Sequence, residues 1–308
     1  SIHISSEIYL GWDAKYFYYI KSLFFYEGKT IFDLNKFEYS SWHPHFGSYL
    51  WGFFWSLSFV ESDYFGRLFY LFLFCYSFFV ISKISNNQSI NNIIFLLLIF
   101  LSYEYEFFSG LQEILIFSFL LLISKYFYLI SKKNTDNEIF FLCLIFLFSN
   151  LLIWIKSEGI IYFFIFPLLL SLYSQILIKR KFIVAILFII FYILKLFIYD
   201  VSDLNNGQKT FYNLEYILSL DLSIIFYKLI NIFIWFIYYI SNNLFFCLFL
   251  LILFYEKIFV KDEKLNQYNY LLIIYLLFII IFLLFAYTLR DQEITYAIRT
   301  TMDRLLMT

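Results

Sequence analysis

The side chains of this sequence that could do acid–base or ionic chemistry stand in short polar stretches between long apolar ones. The most prominent is Asp13, in "GWDAKYFYYIKSLFFYEG" (residues 11–28), a charged aromatic segment that cannot itself span a membrane. Asp13 is the candidate catalytic residue, and the alternatives are an exposed loop acid or the N-cap of the following helix. The other candidates are His43, His45, Glu104, Glu106, Glu113, Lys156, Glu158, Arg290, Arg299, Asp303 and Arg304.

The elements that must position these side chains are membrane helices. Of the 308 residues, 63% are hydrophobic and 15% are charged, and the mean hydropathy is +0.79, whereas a soluble domain is roughly a quarter charged. The sequence therefore predicts an all-α polytopic membrane protein with about 8–9 transmembrane helices and additional external interfacial helices. The predicted spans are 64–84, 90–107, 111–131, 138–155, 159–178, 182–199, 222–241, 243–260 and 268–289.

Charge and cysteine content narrow the function classes. The net charge of −1 gives no indication of a nucleic-acid partner. Cys75, Cys143 and Cys247 lie in apolar stretches far apart in sequence and are interpreted as small buried hydrophobic residues. Because the chain begins with Ser and its pattern does not stop at residue 308, we expect further spans before and after it.

The distribution of lysine and arginine predicts the orientation of the spans. These residues concentrate in cytoplasmic loops, and here they stand at Lys83, Lys132–Lys133, Lys179–Lys181 and Lys257/Lys261/Lys264. The acidic or mixed loops 103–113 and 156–159 then lie outside, together with residues 1–63. The predicted organisation is an external segment 1–63 carrying Asp13, a helical bundle 64–289 and an external segment 290–308.

Two apolar segments are predicted to lie at the interface rather than cross the membrane. Two full spans at 222–241 and 243–260 would break the alternation of loops. We favour 222–241 as an interfacial or partly inserted helix, because Lys228 would otherwise lie near the middle of the bilayer. Residues 43–60 are short and aromatic, which favours a helix at the outer interface.

Four stretches, taken in order, resemble one family of membrane enzymes. They are the segment 11–28 with "WHPHFGSYLWGFFWSLS" (42–58), "SGLQEILIFSF" (109–119), "IWIKSEGIIYFFIFPLLL" (153–170) and "FAYTLRDQEITYAIRTTMDRLLMT" (285–308). Together they resemble the GT-C class of glycosyltransferases, multispan enzymes that take sugars from polyprenyl-phosphate carriers. That class includes the dolichyl-phosphate-mannose protein mannosyltransferases and the aminoarabinose transferases. The sequence departs from the family pattern at Glu113, where Asp is usual, and at Phe46-Gly47, which replaces Tyr-Pro.

The resemblance implies a reaction and a role for each carboxylate. A sugar would pass from a polyprenyl-phosphate carrier to an acceptor hydroxyl on a glycan, lipid or protein, with inversion, at the external side of the plasma (inner) membrane. Asp13 would be the general base that accepts the proton of the hydroxyl. For Glu113 three roles stay open, namely orienting the acceptor, binding a metal ion or pairing with Lys156.

The resemblance also implies a set of substrate-binding residues. Arg304 matches the Asp-Arg step of the family and would bind phosphate, with Arg299 and Lys156 in support. His43 and His45 would contact sugar or phosphate, and Glu158 belongs to the same substrate-binding group. A His-x-His pair without a third ligand is weak support for zinc, so no cofactor is expected to be required, although a divalent metal ion stays open.

Two other functions fit a polytopic membrane protein. A transporter or lipid flippase often carries internal repeats and charges near the middle of the bilayer, whereas the charges here gather at one margin of the membrane. A polysaccharide polymerase or ligase of another multispan class would share the lipid-linked sugar substrate. The sugar and the acceptor are not determined by the sequence.

Overall fold

The structure of the chain is a computed structural model. It describes residues 10–36, 41, 43–59, 61–102, 109–131, 137–172, 178–204, 221–242, 247–248, 250–252, 254–255, 263–288 and 294–299. The regular secondary structure of these residues is helical, which confirms the predicted all-α class. Long apolar helices are typical of membrane proteins because a helix satisfies its backbone hydrogen bonds internally.

The chain begins with short helices and continues with long ones. A π-helical turn, Ala14–Tyr19, runs directly into α1 (Ile20–Tyr26), and a 3₁₀-helix, Ile31–Lys36, follows. The remaining helices are α2 (Phe46–Ser56), α3 (Tyr64–Ser82), α4 (Gln88–Leu101), α5 (Glu113–Ser131), α6 (Glu138–Ile155), α7 (Gly159–Leu172), α8 (Ile178–Val201), α9 (Leu222–Asn242) and α10 (Glu263–Thr288).

Among the described residues, five helices are long and apolar enough to cross a membrane: α3, α5, α6, α8 and α9. The predicted number of about 8–9 spans is not confirmed. Helices α4 and α7 have 14 residues each, about 21 Å at 1.5 Å per residue, against a hydrocarbon core of about 30 Å. The predicted span 243–260 falls largely outside the described residues.

The two segments predicted to lie at the interface are both helical. Helix α2 has 11 residues and is too short to cross a bilayer, as its sequence predicts. Helix α9 has 21 residues, which is long enough, and Lys228 within it is 6% exposed. Because protein covers Lys228, its charge no longer argues against a crossing by α9.

Contacts divide the chain into two compact units. The first unit comprises Ser1–Pro167 and Ile178–Asn206, and the second comprises Leu168–Leu177 and Gly207–Thr308. In the second unit α9 packs against α10 and the helical residues 294–299, through a core that includes Ile232, Phe236 and Tyr287. In the first unit α5 packs against both α3 and α6, and α2 packs against α1 and α3.

Close packing around Gly47 fixes the start of α2 against α3 and α5. The Tyr70 hydroxyl donates to the Gly47 carbonyl at 2.6 Å, and the Gln112 amide donates to the Tyr70 hydroxyl at 3.0 Å. A Cβ on Gly47 would overlap the Gln112 side chain, and one on Gly66 of α3 would overlap the backbone of Trp51. A larger residue at position 47 would therefore require the Gln112 side chain, which is hydrogen-bonded to Tyr70, to move.

Candidate functional site

The polar centre of the first unit is an ion-pair network between two helix ends. Lys156 directly follows α6 in an extended conformation, and its Nζ lies 2.8 Å from Glu113 Oε1 and 3.9 Å from Glu158 Oε1. Glu113 is the first residue of α5, where the positive end of the helix dipole favours a carboxylate. Of the three roles left open for Glu113, the structure contains the pairing with Lys156.

The network is held by the local structure of the sequence "KSEG". The Gly159 amide donates to the Lys156 carbonyl at 3.0 Å, which closes a turn between α6 and α7. A Cβ on Gly159 would overlap the Leu152 carbonyl oxygen, so only glycine fits at this start of α7. The turn thereby keeps Glu158 close to Lys156, whose ammonium also contacts Glu113.

The π-helical turn Ala14–Tyr19 gives the first segment an unusual register. Its i→i+5 hydrogen bonding stacks residues five apart, whereas in an α-helix they would lie about 140° apart around the axis. Asp13 and Tyr18 are five residues apart across the turn, so the π-helical register brings them to similar positions around the helix axis. Such π-helical turns are found frequently at functional sites. Just before the turn, the Gly11 amide donates to the carbonyl of Ser109, which precedes α5, at 3.0 Å.

Asp13 does not begin the helix in the manner of an N-cap. Its backbone has helical dihedral angles, φ −61° and ψ −38°, and its side chain makes no capping hydrogen bond. Its side chain is half-buried, which also argues against a plain exposed loop acid. Helix capping therefore does not account for an aspartate at this position.

Tyr18 lies where the charged groups converge. Its side chain is 5% exposed, and its hydroxyl is acted on by the charges of Lys156, Glu113, Asp13 and Glu158. The structure therefore brings Asp13 together with the Glu113–Lys156–Glu158 network, although 100 residues of sequence separate Asp13 from Glu113. Burial, and to a lesser degree the surrounding carboxylates, raise the pKa of Tyr18 well above its usual value, so its hydroxyl stays protonated.

The Lys156 ammonium is held in its charged form. Burial acts to lower its pKa, but the charges of Glu113 and Glu158 outweigh burial, and the net shift of the pKa is upward. With two carboxylates close by, its positive charge is already neutralised. Lys156 is therefore less suited to binding a phosphate than the sequence predicts.

The two predicted histidines border the same region. Burial, with the Lys21 charge in addition, lowers the pKa of His43 to about 3, and the charges of Asp13 and Lys156 also act on this ring. Burial lowers the pKa of His45 to about 3 as well, assisted by Lys21 and Lys195. Both imidazoles are therefore neutral at pH 7 and can both donate and accept hydrogen bonds.

Of the other charged residues singled out by the sequence, only Arg299 falls within the described residues. Arg299 belongs to the second unit, where it is exposed and its guanidinium lies 5.2 Å from the ring centre of Trp235. Arg304 falls outside the described residues, as do Glu104, Glu106, Arg290 and Asp303.

Sequence reasoning missed Tyr18, Lys21, Lys195 and Tyr199. The two tyrosines are hidden among the 29 tyrosines and 45 phenylalanines of the chain, which give no single aromatic residue weight. The available signal was Lys195, a lysine inside the apolar run of α8, because a charge in such a position is costly and commonly functional.

Metal binding has no geometric support among the described residues. No group of three or more His, Cys, Asp or Glu side chains in this part of the chain is placed to hold a metal ion. That no metal is required stays a prediction, since several acidic residues lie outside the described ranges.

Comparison of the chain with known protein families, curated proteins and solved structures finds no match. The resemblance to the GT-C class therefore rests on its four motifs alone.

Lys21 gives a prediction for the pH dependence of stability. Burial lowers its pKa to about 7, from about 10.5 in the unfolded chain. Between these values only the unfolded state binds the proton, so the free energy of unfolding should rise with pH, by up to about 1.4 kcal/mol per unit. We expect Lys21→Met to flatten this rise in unfolding measured from pH 7 to pH 10. The exposed control Lys29→Met should keep the wild-type slope, and parallel curves for all three proteins would contradict the assignment.

Proposed function

We propose that the protein is an integral membrane glycosyltransferase that moves a sugar from a polyprenyl-phosphate carrier to an acceptor hydroxyl. The observation that supports the proposal is the convergence of Asp13, Glu113, Lys156 and Glu158 around the Tyr18 hydroxyl. These residues come from three of the motifs that carry the resemblance, and a buried group of this kind is costly to fold without a purpose.

The chemistry assigns different roles to the two central carboxylates. Asp13 is half-buried and would accept the proton of the acceptor hydroxyl as its oxygen attacks the anomeric carbon of the sugar. The bond from that carbon to the phosphate oxygen breaks, and polyprenyl phosphate leaves with the bonding electrons. Glu113 is occupied by Lys156 at 2.8 Å, so it would orient groups around the base rather than take the proton. One displacement of this kind inverts the anomeric centre.

The proposed reaction also implies a location for the carrier lipid, a class of acceptor and a side of the membrane. The bilayer would hold the carrier lipid, and the acceptor would be a glycan, a lipid or a protein. The site would face the external side of the plasma (inner) membrane, because the positive-inside pattern assigns residues 1–63 and 156–159 to that side. The reaction as written requires no cofactor.

The test is a transfer assay with the intact chain in liposomes. Polyprenyl-phosphate sugars are supplied as donors together with a membrane extract as acceptor source, and released polyprenyl phosphate is quantified. Time-dependent release above that of protein-free liposomes supports the proposal. Movement of a labelled carrier lipid between leaflets without release would favour a flippase. Transfer of whole glycan chains would favour a polymerase or ligase.

A further inference from the structure

Two lysines of the first unit are buried close to His43 and His45, the histidines that border the candidate site. Lys21 of α1 is fully buried, and Lys195 of α8 is 5% exposed. The Lys21 ammonium donates to the His43 carbonyl at 2.9 Å. The Lys195 Nζ lies 5.1 Å from the ring centre of Tyr199. Removing two ammonium groups from water is expensive unless an interaction compensates the cost.

Three rings form a mutually packed group beside these lysines. The ring centres of His45, Trp154 and Tyr199 are 5.8, 6.0 and 5.9 Å apart, taken pairwise. The three residues come from the start of α2, the end of α6 and the end of α8, so tertiary packing alone brings them together. Lys21, His45, Trp154, Lys195 and Tyr199 are called the lysine–aromatic cluster below.

The cluster contains buried polar atoms whose hydrogen-bonding capacity is unused. His45 Nδ1 and the Tyr199 hydroxyl have no hydrogen-bond partner among the described residues, and neither does the nearby hydroxyl of Ser202. His45 is 9% exposed and Tyr199 is 1% exposed, so neither side chain has ready access to bulk water. Buried polar groups are normally hydrogen-bonded, and exceptions require an explanation. A ligand that accepts hydrogen bonds is one such explanation.

The electrostatics of the cluster indicate the sign of that ligand. The charges acting on the His45 ring come from Lys21 and Lys195 in their protonated forms. A bound anion would favour the protonated form of both lysines, because an opposite charge nearby stabilises an ammonium group. The Lys156 charge, by contrast, is neutralised by Glu113 and Glu158. Positive charge that could act on a ligand is therefore found in the lysine–aromatic cluster, whereas the neighbouring group around Tyr18 is dominated by carboxylates.

We propose that the lysine–aromatic cluster is an anion site that binds a phosphate group through Lys21, His45, Lys195 and Tyr199. A phosphate presents several oxygens, which suits two ammonium groups, an imidazole N–H and a phenolic hydroxyl as donors. His43 connects this site to the candidate base. The His43 carbonyl accepts a hydrogen bond from the Lys21 side chain, and the His43 ring interacts electrostatically with Asp13 and Lys156. Only the source of the phosphate, the carrier lipid, rests on the proposed function.

The test measures binding rather than transfer, with the intact chain in nanodiscs. Farnesyl phosphate is the probe, farnesol is the uncharged control and inorganic phosphate is the competitor. We expect Lys195→Met to weaken the binding of farnesyl phosphate by about 10-fold or more and Tyr199→Phe by about 3- to 10-fold. Lys36→Met removes a lysine whose side chain is 77% exposed, and it should change the affinity by less than about 2-fold.

Thermal stability separates a ligand site from a structural role. Lys195→Met should leave the melting temperature of the ligand-free protein unchanged or raise it, because it removes a buried charge. Wild-type affinity in Lys195→Met and Tyr199→Phe would overturn the proposal, as would farnesol binding as tightly as farnesyl phosphate. Displacement by inorganic phosphate would show recognition of the phosphate alone, and its failure would show that the lipid-borne phosphate is the ligand.

Failure of this proposal is distinguishable from failure of the proposed function. Phosphate binding that depends on Lys195 without any sugar transfer would uphold the anion site and reject the transferase. Sugar transfer with farnesyl phosphate affinities unaltered by Lys195→Met and Tyr199→Phe would uphold the transferase and reject the anion site.

Discussion

Replacing Asp13 with asparagine is expected to lower the rate of sugar transfer by about 10²- to 10⁴-fold, the usual contribution of a general base. Asparagine keeps the size of the side chain but cannot take the proton of the acceptor hydroxyl. Asp13 makes no helix cap and is half-buried, so the melting temperature should change little. The measurement is release of polyprenyl phosphate in the liposome assay, at saturating donor and acceptor.

The matched control for Asp13→Asn is Glu27→Gln. It also removes one negative charge from the first segment, at an exposed residue paired with Lys29. We expect Glu27→Gln to retain transfer within about 2-fold, since exposed ion pairs contribute little. An Asp13→Asn protein that folds and transfers sugar at the wild-type rate would remove Asp13 from the chemistry.

The second large effect concerns the stability of the Glu113–Lys156 ion pair. The two side chains are 4% and 13% exposed, and breaking a buried pair typically costs about 3–5 kcal/mol because one charge is left uncompensated. Lys156→Met leaves the buried Glu113 carboxylate without its partner and should lower the free energy of unfolding by about 3–5 kcal/mol. Glu113→Gln should cost less, because Glu158 still lies 3.9 Å from Lys156. Reversible unfolding in mixed micelles provides the measurement.

The chain offers an exposed pair of the same length as a control. Lys29 Nζ lies 2.8 Å from Glu27 Oε2, and the two side chains are 47% and 48% exposed. Lys29→Met should change the free energy of unfolding by less than about 1 kcal/mol. The double variant Glu113→Gln/Lys156→Met should recover much of the loss seen in Lys156→Met, because no charge is then stranded on α5. Equal losses in Lys156→Met and Lys29→Met would show that burial does not govern the pair.

Several features of the fold could be predicted because they depend on local sequence. The helices α3, α5 and α6 follow from apolar windows about as long as a bilayer is thick. The short helix α2 follows from an aromatic run that is too brief to cross. The number of spans could not be fixed in this way, because the predicted spans 90–107 and 159–178 are longer than the 14-residue helices α4 and α7.

The charged residues of the candidate site were singled out from the sequence, but Tyr18 and the arrangement of the group were not. Asp13, Glu113, Lys156 and Glu158 were singled out by type and position, and pairing of Glu113 with Lys156 was one of three open roles. That the pair is closed at 2.8 Å depends on two helix ends 43 residues apart meeting in space. The consequence for Lys156, whose charge is neutralised, could not be read from its position in the sequence.

The sequence by itself determined the class of molecule, since apolar length and scarcity of charge are properties of short windows. It also determined which polar residues lie at helix ends, and therefore which side chains could meet. Only the tertiary structure decided that Tyr18 faces these charges, because that depends on a π-helical register at Ala14–Tyr19. Only the tertiary structure placed Lys21 and Lys195 beside His45 and Tyr199, because the packing of α1, α2, α6 and α8 brings together residues that are distant in the chain.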